Sequence, residues 1–181
     1  MDLTQLLIKP NIATTALCVI PPDYMHDYVD DFRKQYDKAW ERWPPHINLV
    51  FPFLDKKNFE TIKNSLKIEF VSNNIVPFVI KLDTIDYFEQ GNNITVHAKP
   101  RKCPELAQIY KIICDTLKIE PNHTAFVPHM TLGQIPKTDI SKVTEIKNSW
   151  GSGLNFTIDS LQLISRDGNT RFQTIDNITF R

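Results

Sequence analysis

The chain has 181 residues, with 21 lysines and arginines against 21 aspartates and glutamates, so it lacks the global positive field that binds long nucleic acid through many phosphates. Its three cysteines, Cys18, Cys103 and Cys114, form no CxxC pair, which argues against a disulfide framework or a cysteine zinc site. The apolar run "ATTALCVI" is too short to span a membrane and lacks signal-peptide flanks, so the expectation is a cytosolic or nuclear protein, one domain over residues 1–181 with two intimately packed lobes.

Residues 13–20, ended by Pro21 and Pro22, read as a buried strand. Between 23 and 39, Met25, Tyr28, Val29, Phe32 and Tyr36 recur at helical spacing. Acidic residues come early there and Arg33, Lys34 and Lys38 late, as the helix dipole favours; His26 lies off the apolar stripe and reads as solvated. The segment "PPHINLVFPF" (44–53) opens an apolar strand with a histidine. A second helix is predicted over 55–67, with Phe59, Ile62 and Leu66 on one face and Asp55 as its cap. "PFVIKLDTIDYF" (77–88) and "NNITVHAKP" (92–100) read as two strands joined by a glycine-containing hairpin connection. Pro104 opens a helix whose stripe is Leu106, Ile109, Tyr110, Ile113 and Leu117. "FVPHMTLGQIP" (126–136) is a second histidine strand, followed by a short helix around 139–150 that stops at Gly151-Ser152-Gly153. "LNFTIDSLQLIS" (154–165) and "RFQTIDNITF" (171–180) are closing strands around an Asp-Gly turn.

This order contains a repeat. Strand, proline, amphipathic helix, loop and Pro-His-apolar-polar-Leu occur over 13–49 and again over 93–132; Pro22 precedes His46 by 24 positions and Pro100 precedes His129 by 29. Two such halves sharing antiparallel strands predict an α+β body with the histidine strands side by side or facing across a cleft. Strand alternation puts His46, Asn48 and Val50 on one face and Ile47, Leu49 and Phe51 on the other; likewise His129, Thr131 and Gly133 point together, with Gly133 leaving room for a ligand. Each preceding proline keeps the backbone extended.

Two imidazoles and two hydrogen-bond donors are what phosphodiester cleavage requires. One group activates water or a hydroxyl, one protonates the leaving oxygen, and the donors hold the oxygens where charge accumulates. No metal or other cofactor is needed for that set. The rivals are a zinc site from His97, His123 and His129, which lacks closely paired ligand spacing, and a nucleotide- or RNA-end-binding module without turnover.

His46-Ile47-Asn48 and His129-Met130-Thr131, set in "RWPPHINLVFPF" and "FVPHMTLGQ", resemble the paired motifs of the 2H phosphoesterase superfamily, the 2'-5' RNA ligase-like family, and most resemble its eukaryotic-type branch. The resemblance implies a bilobal α+β fold, with pseudo-twofold-related lobes, antiparallel sheets and outer helices around a central cleft. It implies a metal-independent phosphodiesterase acting on 2',3'-cyclic phosphates or 2'-5' linked oligonucleotides and RNA ends, with His46 as general acid, His129 as general base, and Asn48 and Thr131 on the phosphoryl oxygens. Asn48 departs from the commoner Thr or Ser. Trp43 and Phe126, each three residues before a motif histidine, are candidates to stack on a base, and Arg166 resembles a phosphate-binding arginine of related proteins. His97, between Val96 and Ala98 on a strand, reads as structural. The expected partner is a nucleotide or short RNA end, with no long duplex and no membrane, and the expected state is a monomer.

Overall fold

The computed structural model describes residues 7–121 and 126–180. Strand β1 (Thr15–Val19) is buried at every position, as its apolar run requires. Helix α1 (His26–Tyr36) follows a short 3-10 turn and stops where Asp37 becomes extended. After β2 (Ile47–Val50), the Asp55 carboxylate accepts from the Lys57 backbone N–H, and α2 (Phe59–Ser72) buries Phe59, Ile62, Leu66 and Phe70. Strands β3 (Phe78–Leu82), β4 (Thr84–Gln90) and β5 (Asn93–Lys99) precede α3 (Pro104–Leu117), which opens on proline and closes at Lys118 in the left-handed conformation. Then come β6 (Met130–Pro136), α4 (Ser141–Trp150), β7 (Leu154–Ile158), β8 (Ser160–Ser165) and β9 (Gln173–Thr179).

Seven strands form one antiparallel sheet in the order β4-β5-β6-β2-β1-β8-β9, while β3 and β7 pair with each other in a separate ribbon. The sequence repeat is visible in that order. The units β1-α1-β2 and β5-α3-β6 meet where β2 lies beside β6, and β8 and β4 flank them equivalently.

Two expected strands are each two strands. "PFVIKLDTIDYF" breaks at Asp83 and "LNFTIDSLQLIS" at Asp159, and the first piece of each leaves the main sheet to pair with the other, Leu82 opposite Leu154 and Phe78 opposite Ile158. The apolar alternation shifts phase at each break, from Ile80 and Leu82 to Ile85 and Tyr87 and from Phe156 and Ile158 to Leu161 and Leu163, a signal that the reading of each segment as one strand passed over. Arg33 falls in the last turn of α1, as the helix dipole favours, and is 2 % exposed, held between Asp30 and Asp37. His26 differs from expectation: rather than solvated it is partly buried, its Nε2 2.9 Å from the Pro21 carbonyl oxygen at the start of the helix.

All four helices contribute to one main core. It also takes Leu17, Val19, Ile47, Val96, Ala98, Met130 and Leu132 from the central strands. The other face of these strands carries a smaller apolar cluster of Ala16, Cys18, Ile164 and Phe172, with Trp43 and Phe51 packed against it. Among the described residues no helix is long and apolar enough to cross a membrane.

Candidate active site

Ile47 pairs with Met130 where β2 meets β6, and both are fully buried in the main core. Continuing this antiparallel register one residue each way sets His46 opposite Thr131 and Asn48 opposite His129, all four on the face away from the helices. Directly opposed residues have Cβ atoms about 4.5–5.5 Å apart and diagonal ones about 7–8 Å. The two histidines are therefore diagonal neighbours across the seam. A one-residue slip would expose Ile47 and Met130, each worth about 1.5–3 kcal/mol of burial, and bury the polar quartet instead.

A bulge follows each motif at the same step. Between β1 and β2 the pairing passes from Cys18–Asn48 to Leu17–Val50, skipping Leu49; between β5 and β6 it passes from His97–Thr131 to Val96–Gly133, skipping Leu132. Each extra residue reverses the alternation beyond it. Val50 therefore joins the main core rather than sharing the face of His46 and Asn48. Gly133 likewise turns toward α1, where a Cβ would lie 2.2 Å from the Tyr36 Cβ. The space expected at Gly133 for a ligand is filled by that helix.

The two histidines are held alike. His46 Nδ1 lies 2.8 Å from the Pro44 carbonyl oxygen and His129 Nδ1 2.8 Å from that of Val127, in each case two residues upstream. An Nδ1–H donating there leaves Nε2 to face the site. In His46 that nitrogen is 3.0 Å from Asn48 Nδ2, so the amide donates to an unprotonated Nε2, and Asn48 Oδ1 is left buried without a partner. Burial, first of all, lowers the His46 pKa to about 4; the charges of Arg33 and His129 lower it further, against the Pro44 bond and Asp37. His46 is thus neutral at neutral pH.

The surroundings differ between the halves. Trp43 stacks on His46 with ring centroids 4.5 Å apart, Phe172 lies 3.9 Å beyond Trp43, and the Arg166 guanidinium sits over Phe172 at 4.9 Å. Arg166 is partly exposed, but its Nε and Nη1 are buried without a hydrogen-bond partner, two donors an anion could satisfy. Behind His46, Arg33 donates to the Trp43 carbonyl oxygen at 3.0 Å, fixing the loop that carries the tryptophan. Sequence reasoning missed that role; the signal was Asp30 three residues before Arg33 and Asp37 four after it. Phe126 does not join the site, since its ring stacks on Tyr110 of α3 at 4.5 Å.

On the other side, His97 and Cys18 occupy equivalent places in the repeat, opposite Thr131 and Asn48. Burial pushes the Cys18 thiol far up, so it stays protonated. His97 is fully buried, packs edge-to-face on His129 at 5.1 Å and lies under Phe88 at 4.2 Å. Burial and the charge of His129 lower its pKa to about 4. Phe88 is partly exposed and also meets the His129 ring edge-on at 5.0 Å; it is an aromatic neighbour of the site that the sequence reading passed over. Of the supposed zinc set, His97 and His129 are adjacent and His123 lies outside the described residues.

Paired histidine motifs on neighbouring strands of an antiparallel α+β fold have counterparts among known proteins. The model of the 2'-5' RNA ligase superfamily matches residues 21–170, a span that includes both motifs. A Bacillus cereus (strain B4264) protein named "Putative phosphoesterase" is 30% identical over 119 residues, covering 65% of this chain and 67% of the relative. Among solved structures, E. coli LigT complexed with 3'-AMP superposes with a TM-score of 0.62 at 14% identity, covering 94% of this chain and 99% of that one. A second crystal structure, of a phosphoesterase, gives 0.60 at 12% identity with the same coverage. The chain belongs to the 2'-5' RNA ligase superfamily, the 2H phosphoesterases.

Proposed function

We propose that the protein is a phosphodiesterase that opens 2',3'-cyclic phosphates or cleaves 2'-5' linkages at RNA ends, with His46 and His129 as its acid–base pair. The observation that carries this reading is the diagonal placement of the two imidazoles, each anchored through Nδ1 to a carbonyl two residues upstream. The neutral state of His46 favours it as the base, the reverse of the order the family resemblance implies. A water attacks phosphorus and gives its proton to His46 Nε2, the bond from phosphorus to a ribose oxygen breaks, and His129 supplies the proton to that leaving oxygen. The product is a phosphomonoester, with one water added overall.

Asn48 couples binding to this step. At rest its N–H group holds the lone pair of His46 Nε2. A phosphoryl oxygen that takes the same N–H frees the nitrogen to accept a proton, while the Thr131 hydroxyl and Arg166 hold the other oxygens. Trp43 orders His46 and borders the phosphate; Phe88, beside His129, is placed to meet a base. Acid, base and oxyanion donors all come from the chain, so the step is complete without a metal.

The occupied Nε2 is also what a binding module without turnover would show, so the test must measure turnover. The protein is incubated with EDTA and a panel of 2',3'-cyclic nucleotides and 2'-5' and 3'-5' dinucleotides. Phosphomonoester formation that survives the chelator and vanishes with His46→Ala or His129→Ala supports the enzyme; binding without product supports the module.

A further inference from the structure

Beside the candidate site is an open pocket of about 420 Å³ between the β5–α3 connection and the segment leading into β6. Lys99, Arg101 and Lys102 line it, with Phe126, Val127 and Pro128 opposite, and its lining contains no carboxylate. Asp83 and Asp86 stand outside the lining and pair with Arg101 and Lys99, so Lys102 is the cation there with no ion pair among the described residues. The pocket and the site share structure. Val127 supplies the carbonyl that holds His129 Nδ1, Pro128 adjoins His129, and Lys99 lies two residues after His97 on the same strand and so shares its face.

Lys99 is firmly held, while Arg101 and Lys102 are not. Lys99 bonds Asp86, and Arg101 stands 3.6 Å from Asp83, which Lys81 also approaches at 3.6 Å. Arg101 is 81% exposed in that pair, and exposed pairs contribute only about 0–1 kcal/mol. Among the described residues no carboxylate forms an ion pair with Lys102. A phosphate can therefore displace the exposed Arg101–Asp83 contact at little cost, leaving Lys99 on Asp86, and the guanidinium can bind it through two parallel N–H groups with Lys102 beside them.

Resting on the phosphodiesterase reading above, we infer that this pocket receives the phosphate of the nucleotide adjoining the cleaved one, so that the substrate is an oligonucleotide end rather than a free cyclic mononucleotide. If His129 protonates the leaving ribose oxygen, the ribose and the chain attached to it lie on the His129 side, where the pocket is. Pro128 and Phe126 supply an apolar wall against which that sugar can rest.

The test compares the full chain with its R101A/K102A variant, both changes being at exposed positions. The substrates are a 2',3'-cyclic mononucleotide and a trinucleotide ending in a 2',3'-cyclic phosphate. The wild type should favour the trinucleotide in kcat/KM by about ten-fold or more, with a salt slope near −0.7 for each phosphate held. The variant should lose that preference and slope while keeping its rate on the mononucleotide. An unchanged preference, no preference in the wild type, or equal losses on both substrates would overturn the pocket. Fluorescence anisotropy of a labelled trinucleotide with a 3'-phosphate decides the matter even without turnover. Weaker binding in the variant supports the pocket and equal binding refutes it, whereas absent turnover counts against the phosphodiesterase reading alone.

Discussion

Ile47 faces Met130 across the seam between β2 and β6, and this buried pair turns His46 and His129 to the opposite side as diagonal neighbours. Each half of the repeat contributes one histidine, one polar residue two positions on, and one bulge after that. On the proposed mechanism neither half holds a complete acid–base set, so turnover would depend on the seam.

Replacing either histidine should therefore remove turnover without unfolding the protein. His46→Ala and His129→Ala should each lower kcat by about 10²–10⁴-fold, because both side chains are partly exposed and lie outside the main core. Steady-state kinetics with circular dichroism on the same samples checks both parts. Full activity in either variant would end the assignment.

Gly133 should tolerate no side chain. A Cβ there would stand 2.2 Å from Tyr36 Cβ and 2.7 and 2.8 Å from the Tyr36 backbone C and O, so trimming the tyrosine to alanine offers no relief. Gly133→Ala should cost about 1–3 kcal/mol or more as α1 is pushed off β6. The urea midpoint reports it, and Tyr36→Ala in the same chain should not restore it.

Much of this architecture was legible in the chain because the apolar periods are strong. The α3 stripe and the Asp-Gly turn before β9 fall where the sequence places them. The two His-apolar-polar strings locate the seam for the same reason. What escaped was the outcome of pairing. The bulges at Leu49 and Leu132 move Val50 and Gly133 to the core face, yet a bulge exists only relative to a partner strand. Asp83 and Asp159 end strands where β3 and β7 leave the main sheet to pair with each other; the apolar alternation shifts phase at both, but which strands then pair is a long-range outcome. Arg33 reads only as a basic residue late in a helix; that Asp30, Asp37 and the Trp43 carbonyl close around it is visible in the fold alone. Phe126 and Trp43 hold matching places before their histidines, but Tyr110 gives Phe126 a core partner.

Stability should fall as the solution is acidified from about pH 6.5 to 4. His46 and His97 are both held down to about 4 in the folded chain, chiefly by burial, whereas an unfolded histidine has a pKa near 6.5. Between those values the unfolded chain binds protons that the folded chain does not, so the folded state loses stability as pH drops, and the histidine contribution to that loss is complete below about 4. His97 is the fully buried one, and His97→Phe keeps a flat ring under Phe88 while removing one of the two contributions. Urea midpoints at pH 7.5, 5.5 and 4.5 should show a shallower decline in that variant. An increase in stability over this window would contradict the argument.

Arg166 should separate stability from function. Its Nε and Nη1 are buried without partners, over Phe172 and within the ring contacts that lead through Trp43 to His46. Two buried donors without acceptors disfavour the folded state unless an anion completes them, so Arg166→Met, which keeps the length and loses the donors and the charge, should raise the thermal midpoint of the free protein. Inorganic phosphate should narrow the difference. It binds the folded wild type and stabilises it by RT ln(1 + [L]/Kd), and the methionine variant should gain much less at the same concentration. The same variant should show a KM at least about ten-fold higher on a cyclic phosphate, whereas Arg166→Lys, with charge but no planar fork, should fall between. Thermal unfolding with and without phosphate needs no turnover. A methionine variant that is less stable than the wild type and equally responsive to phosphate would show that Arg166 serves the packing around Phe172 and not an anion.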